Sequence, residues 1–70
     1  MPGEACIFTP RQREVLGLVA DGLPNKAIAY ELGISIKTVE GHIAAMMCRT
    51  RVGSRVLLVR DGIRRGVIDP

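Results

Sequence analysis

Tryptophan is absent from this 70-residue chain, and tyrosine and phenylalanine occur once each. An aromatic core is thereby excluded; whatever is buried must be built from Leu, Ile, Val, Met and Ala. Cys6 and Cys48 are the only cysteines, too few for a disulfide framework, so reduced thiols in a cytoplasmic setting are the expectation. Long apolar runs are also missing. In the basic half the longest is the six-residue Ile43–Cys48, against the ~20 residues that span a bilayer. The N-terminus has neither the basic start nor the apolar stretch of a signal peptide, and internal repeats and low-complexity segments are absent.

What is present is the composition of one small domain: 47% hydrophobic and 24% charged residues. A chain of this length buries only roughly 60% of the surface its unfolded form exposes, so stability should be marginal and aided by oligomerisation. The net charge of +3 is unevenly spread. Residues 1–35 carry three Lys/Arg against four Asp/Glu, and residues 36–70 carry seven against three, balances of −1 and +4. A basic half suits a polyanionic partner, because phosphate attraction supplies most non-specific DNA affinity.

The pattern of apolar residues divides the chain into four helices. Thr9-Pro10-Arg11-Gln12 is a helix start: Thr9 can cap, Pro10 suits the first helical position, and Gln12 can reach back to complete a capping box. Val15, Leu16, Val19 and Ala20 then form a stripe at helical spacing that stops at Asp21-Gly22. A second helix is expected from about Asn25 to Leu32; because Pro24 has no capping hydroxyl, either Asn25 caps it or its N-terminal end frays. The third opens at Ser35 and runs to about Thr50. After the turn at Val52-Gly53, Ser54 caps a fourth over roughly Arg55–Arg65, which Gly66 ends. Residues 1–7 read as a flexible lead and 8–68 as the domain, all-α.

Asn25 to Met47 is the most informative stretch. Gly33 can adopt the left-handed conformation that closes one helix, and Ser35 can accept from the N–H groups that open the next. Ala29 stands where the two helices must cross. Two helices joined by a three-residue turn containing glycine form a helix-turn-helix unit, whose second helix enters the major groove.

The chain resembles the DNA-binding domain of the LuxR family, also called the GerE or NarL/FixJ type. The resemblance rests on Thr9-Pro10-Arg11, Arg13-Glu14-Val15-Leu16, Gly22-Leu23, Asn25-Lys26, Ile28-Ala29, Leu32-Gly33-Ile34-Ser35, Lys37-Thr38-Val39, His42, Val52, Arg55, Leu58-Val59 and Arg65-Gly66. It covers about residues 8–68. It implies a bacterial transcription regulator, or the output domain of a response regulator, that binds double-stranded DNA in the cytoplasm without cofactor, metal or catalysis. The family's usual N-terminal receiver or ligand-sensing domain is not within these residues, which leaves an output domain and a stand-alone regulator equally open.

Residue by residue, the resemblance assigns phosphate contacts to Asn25, Lys26, Lys37 and Thr38. Physically, the first two lie at a helix N-terminus, where free N–H groups and the helix dipole favour an anion, and the latter two lie in the first turn of the third helix. At about 100° per residue, Val39, Ile43, Met46 and Thr50 share the core side of the third helix. Opposite them lie Lys37, Gly41, Ala44 and Cys48, flanked by Glu40 and Ala45. The expected groove-facing set is Lys37, Glu40, Gly41 and Ala44. Lys37 can reach guanine, Glu40 can accept from a cytosine amino group, and Ala44 can touch a thymine methyl. The face is sparse, since the family often has Lys or Arg at the Glu40 position and larger or polar residues at Gly41 and Ala44.

His42 lies at the edge of the core stripe with no Cys or carboxylate at i±4, which favours packing over metal binding. On the fourth helix, Leu58, Val59 and Ile63 are expected in the core. Leu57, Asp61 and Arg64 share one face, which the resemblance makes a homodimer surface, with one Asp61 meeting the other Arg64 across a two-fold axis. A second reading keeps the scaffold but uses the small face of Gly41, Ala44, Ala45 and Cys48 to admit a helix of another protein.

Overall fold

The computed structural model describes residues 7–69. Four helices follow in order: α1 (Pro10–Ala20), α2 (Asn25–Leu32), α3 (Ile36–Thr50) and α4 (Arg55–Arg64). Among the described residues there is no strand, and the fold is all-α.

Each helix starts where its local chemistry dictates, with one exception. Thr9 and Gln12 form the capping box: the Thr9 hydroxyl accepts from the Gln12 N–H at 3.1 Å, and the Gln12 Oε1 accepts from the Thr9 N–H at 3.0 Å. Ser35 accepts from Thr38 N–H at 3.0 Å and Ser54 from Leu57 N–H at 3.2 Å. α2 is the exception. Pro24 occupies its cap position in extended backbone and no side chain caps it, because Asn25 is already the first helical residue.

Gly33 takes φ +68°, and the Ile34 N–H reaches back to the Ala29 carbonyl at 3.0 Å. This closes α2 with a reversal tight enough that α3 begins three residues later. The two helices can lie close because Ala29 is buried between them with only a methyl to accommodate.

The core draws on every element: Phe8 from just before α1, Val15, Leu16 and Val19 from α1, Ile28 and Ala29 from α2, Val39, Ile43 and Met46 from α3, and Leu58 from α4. Six of these are fully buried, and each contributes roughly 1.5–3 kcal/mol, a large fraction of what so small a domain has to spare. Ile7 packs against this core, and Arg49 Nη1 donates to its carbonyl at 3.3 Å; the remainder of the expected lead lies outside the described residues.

One expectation for α4 is corrected. Ile63 is half-buried but is not among the residues packed on the core, whereas Val59 is. The missing apolar contact comes from beyond the helix, where Gly66 at φ +75° turns the chain so that Val67 and Ile68 fold back onto the core. Gly62 makes room for them: a β-carbon there would stand 2.8 Å from Leu16 Cδ2 and 3.3 Å from Ile68 Cγ1.

Candidate nucleic-acid interface

α3 separates core from surface as its periodicity requires. Val39, Ile43 and Met46 are buried, while Lys37, Glu40, Gly41, Ala44, Ala45 and Cys48 are exposed. Lys37, Glu40, Gly41 and Ala44, the four residues expected to face the groove, are thus all exposed on one helix. Nothing lies within 4 Å of a β-carbon built at Gly41, so no packing inside the molecule calls for glycine there. At the opening of α3, the Ser35 and Thr38 hydroxyls share a 2.8 Å hydrogen bond while Ser35 takes the Thr38 N–H. The Ile36 and Lys37 N–H groups remain without intrahelical acceptors, directed out of the helix end together with the exposed Lys37 side chain.

The N-terminus of α2 is barer still. With Pro24 at the cap, no side chain accepts from the Asn25, Lys26 or Ala27 N–H groups. Asn25 fails as a cap for a definite reason. Its Oδ1 accepts from Arg55 Nη1 at 2.6 Å, and Arg55 Nη2 donates to the Leu23 carbonyl at 2.8 Å. One guanidinium at the start of α4 thus clamps the loop before α2 and the first residue of α2. With its oxygen taken, the Asn25 amide has its NH2 group left for an outside acceptor. Lys26 is exposed beside it. Uncapped N–H groups, a lysine and the Arg55 charge all give this helix end a positive potential. Arg55 is the residue that sequence reasoning left without a role, because its partners lie 30 and 32 positions away.

The reciprocal contact expected of Asp61 and Arg64 is corrected by the structure. Asp61 is 4% exposed, and both its oxygens are taken within its own chain, by Arg64 Nη2 at 2.6 Å and Arg65 Nε at 2.5 Å. Burial pushes its carboxyl pKa up, but the hydrogen bonds and charges of Arg65 and Arg64 more than offset this and hold it below the ordinary carboxylate value. An Asp with Arg at i+3 and i+4 was readable as an internal staple. Leu57, 45% exposed, lies with Asp61 and Arg64 along a cleft beside the α3–α4 turn. The most exposed apolar residue of α4 is instead Val56, at 70%, with the half-buried Ile63 two turns on along the same side.

His42 is half-buried and Cys48 is an exposed free thiol; Cys6 lies outside the described residues. Among the described residues no group of three His, Cys, Asp or Glu side chains is arranged to hold a metal ion, and no helix is long and apolar enough to cross a membrane.

With this geometry, comparison with known proteins is decisive. Residues 6–61 match the family described as GerE: bacterial regulatory proteins, luxR family. The chain belongs to the LuxR family. Among LuxR-family relatives, it is 48% identical over 59 residues to the transcriptional regulatory protein FixJ of Rhizobium meliloti (strain 1021), covering 84% of this chain and 29% of that protein. It is 40% identical over 62 residues to the response regulator Rre1 of Synechocystis sp., covering 89% and 27% respectively. The chain thus spans less than a third of these curated relatives. The solved structure of the transcription factor GerE superposes with a TM-score of 0.89 at 30% identity, covering 91% of this chain and 96% of that one. The fold is thus the GerE-like helix-turn-helix of a family of regulators, not of enzymes.

Proposed function

We propose that this LuxR-family domain binds double-stranded DNA sequence-selectively, as a transcription regulator or as the output domain of a larger one, in the bacterial cytoplasm. α3 enters the major groove with Lys37, Glu40, Gly41 and Ala44 facing the bases. The phosphates on either side are held by the α2 N-terminus through Asn25 and Lys26, and by the α3 N-terminus through Lys37 and Thr38. The observation that carries this reading is the pair of helix N-termini with unsatisfied N–H groups, each beside an exposed lysine, one opening each helix of the helix-turn-helix. Arg55 joins this set as the residue that orients Asn25.

The groove face offers few base contacts, so one domain binds modestly and two bind together. We place the homodimer contact on the Val56 and Ile63 side of α4, since Asp61 is engaged internally and the arginines around Leu57 would confront their own copies across a two-fold axis. Selection from a random duplex pool should return paired half-sites about one helical turn apart. Single half-sites held tightly by a monomer would overturn the dimer. Binding of a protein helix at Ala44 and Ala45 without any selected duplex would favour the interaction-module reading.

A further inference from the structure

We infer a second binding surface on this domain: the cleft between the α3–α4 turn and α4, shaped for an acidic segment of another protein that carries an apolar side chain among its carboxylates. The cleft has a volume of about 470 Å³. Arg51, Arg60 and Arg64 line it, with Leu57 and Val52 as apolar wall and the buried Asp61 at its base. Asp61 pairs with Arg64 and Arg65, so the unpaired rim charge is that of Arg51 and Arg60. Among the described residues, the side chains of Arg51 and Arg60 have no hydrogen-bond or ion-pair partner.

The backbone at Arg51 supplies a second, independent observation. α1, α2 and α4 are each followed by a positive-φ glycine, Gly22, Gly33 and Gly66. α3 ends the same way, with Val52 N–H reaching the Met47 carbonyl at 3.2 Å, but the left-handed position is held by Arg51 at φ +60°. It is the sole non-glycine with positive φ among the described residues. An L side chain is disfavoured there, and nothing in the fold uses this guanidinium. Strain kept at a position where glycine would serve the fold points to a use for the side chain outside it.

The chemistry selects the occupant. A phosphate backbone needs the arginines but gains nothing from a half-exposed leucine, and Arg51 stands about 21 Å along α3 from Lys37. A second copy of the chain would set the unpaired Arg51 and Arg60 against the same two charges. Carboxylates flanking an apolar side chain satisfy both the rim and the wall.

The test is a titration of the 15N-labelled 70-residue chain with a synthetic helical peptide bearing Leu flanked by Glu on both sides, and with the same peptide carrying Ser for Leu. Amide shifts confined to residues 51–53 and 57–64 are expected with the first. Arg51→Gly and Arg60→Glu should each weaken it by about ten-fold while leaving duplex DNA binding within about two-fold. Arg51→Gly also keeps the helix ending, so loss of peptide binding in a well-folded protein is attributable to the side chain. Equal binding of the Ser peptide, shifts centred on residues 37–44, no peptide binding, or displacement of the peptide from the cleft by duplex DNA would each overturn the inference.

Discussion

The Arg55 guanidinium reaches Asn25 Oδ1 at 2.6 Å and so fixes the first residue of α2 from the first turn of α4. Because its second nitrogen holds the Leu23 carbonyl, the clamp depends on the planar fork and not on charge alone. Arg55→Lys keeps the charge and loses the fork. Stability should fall by about 1–2 kcal/mol, read from a urea or thermal melt. DNA affinity should fall further than that of Arg60→Lys, whose side chain holds nothing in the fold. An unchanged melt would mean that the clamp does not form in solution.

Two glycines in helices should respond to alanine with opposite sign. At Gly62 the added methyl would meet Leu16 Cδ2 at 2.8 Å in a fully buried neighbourhood, so Gly62→Ala should destabilise by about 1–2 kcal/mol even after the gain in helix propensity. At Gly41 nothing stands within 4 Å, and Gly41→Ala should stabilise by about 1 kcal/mol. If Gly41→Ala at the same time weakens duplex binding, close approach to DNA is what glycine serves there. Denaturant midpoints for the pair of variants test the contrast.

The start and stop signals of this chain were legible because they are local. Thr9 with Gln12, Ser35 with Thr38 and Ser54 with Leu57 act over three residues, and Gly33 over one, so a linear string displays them in full. The core stripe of α3 followed from the helical period alone. Asn25 was misread because a local rule, an Asn near a helix start, competed with a contact from 30 residues away. A still longer separation hid Gly62, whose reason is Leu16. For Asp61 the sequence held the signal, arginines at i+3 and i+4, but not the burial that makes an internal staple prevail over a partner.

Asp61 should make the domain acid-sensitive. Its carboxyl pKa is depressed in the folded state, so its contribution is complete above the unfolded value of about 3.9 and is lost as pH falls through the lower folded value. Melts of the wild type should therefore lose stability below about pH 4, and Asp61→Asn should flatten that decline while lowering stability at pH 7. Identical pH profiles for the two proteins would contradict the staple.

Arg51→Gly relieves a left-handed side chain and should raise stability by about 0.5–1 kcal/mol net of the added freedom of the unfolded chain. A decrease would show that the arginine serves the fold itself.

Val56→Glu should abolish cooperative occupation of paired half-sites while leaving the melt of the isolated domain within about 0.5 kcal/mol, because Val56 is 70% exposed. Retained cooperativity would move the dimer contact elsewhere.

The most direct measurement of the central claim is the salt dependence of binding to the selected duplex, for the wild type and for Lys26→Ala and Lys37→Ala. If both helix N-termini grip phosphate, affinity falls steeply with salt, and each substitution weakens binding and reduces the slope of log K against log salt by about one. A shallow wild-type slope, or slopes unchanged by both substitutions, would contradict the account.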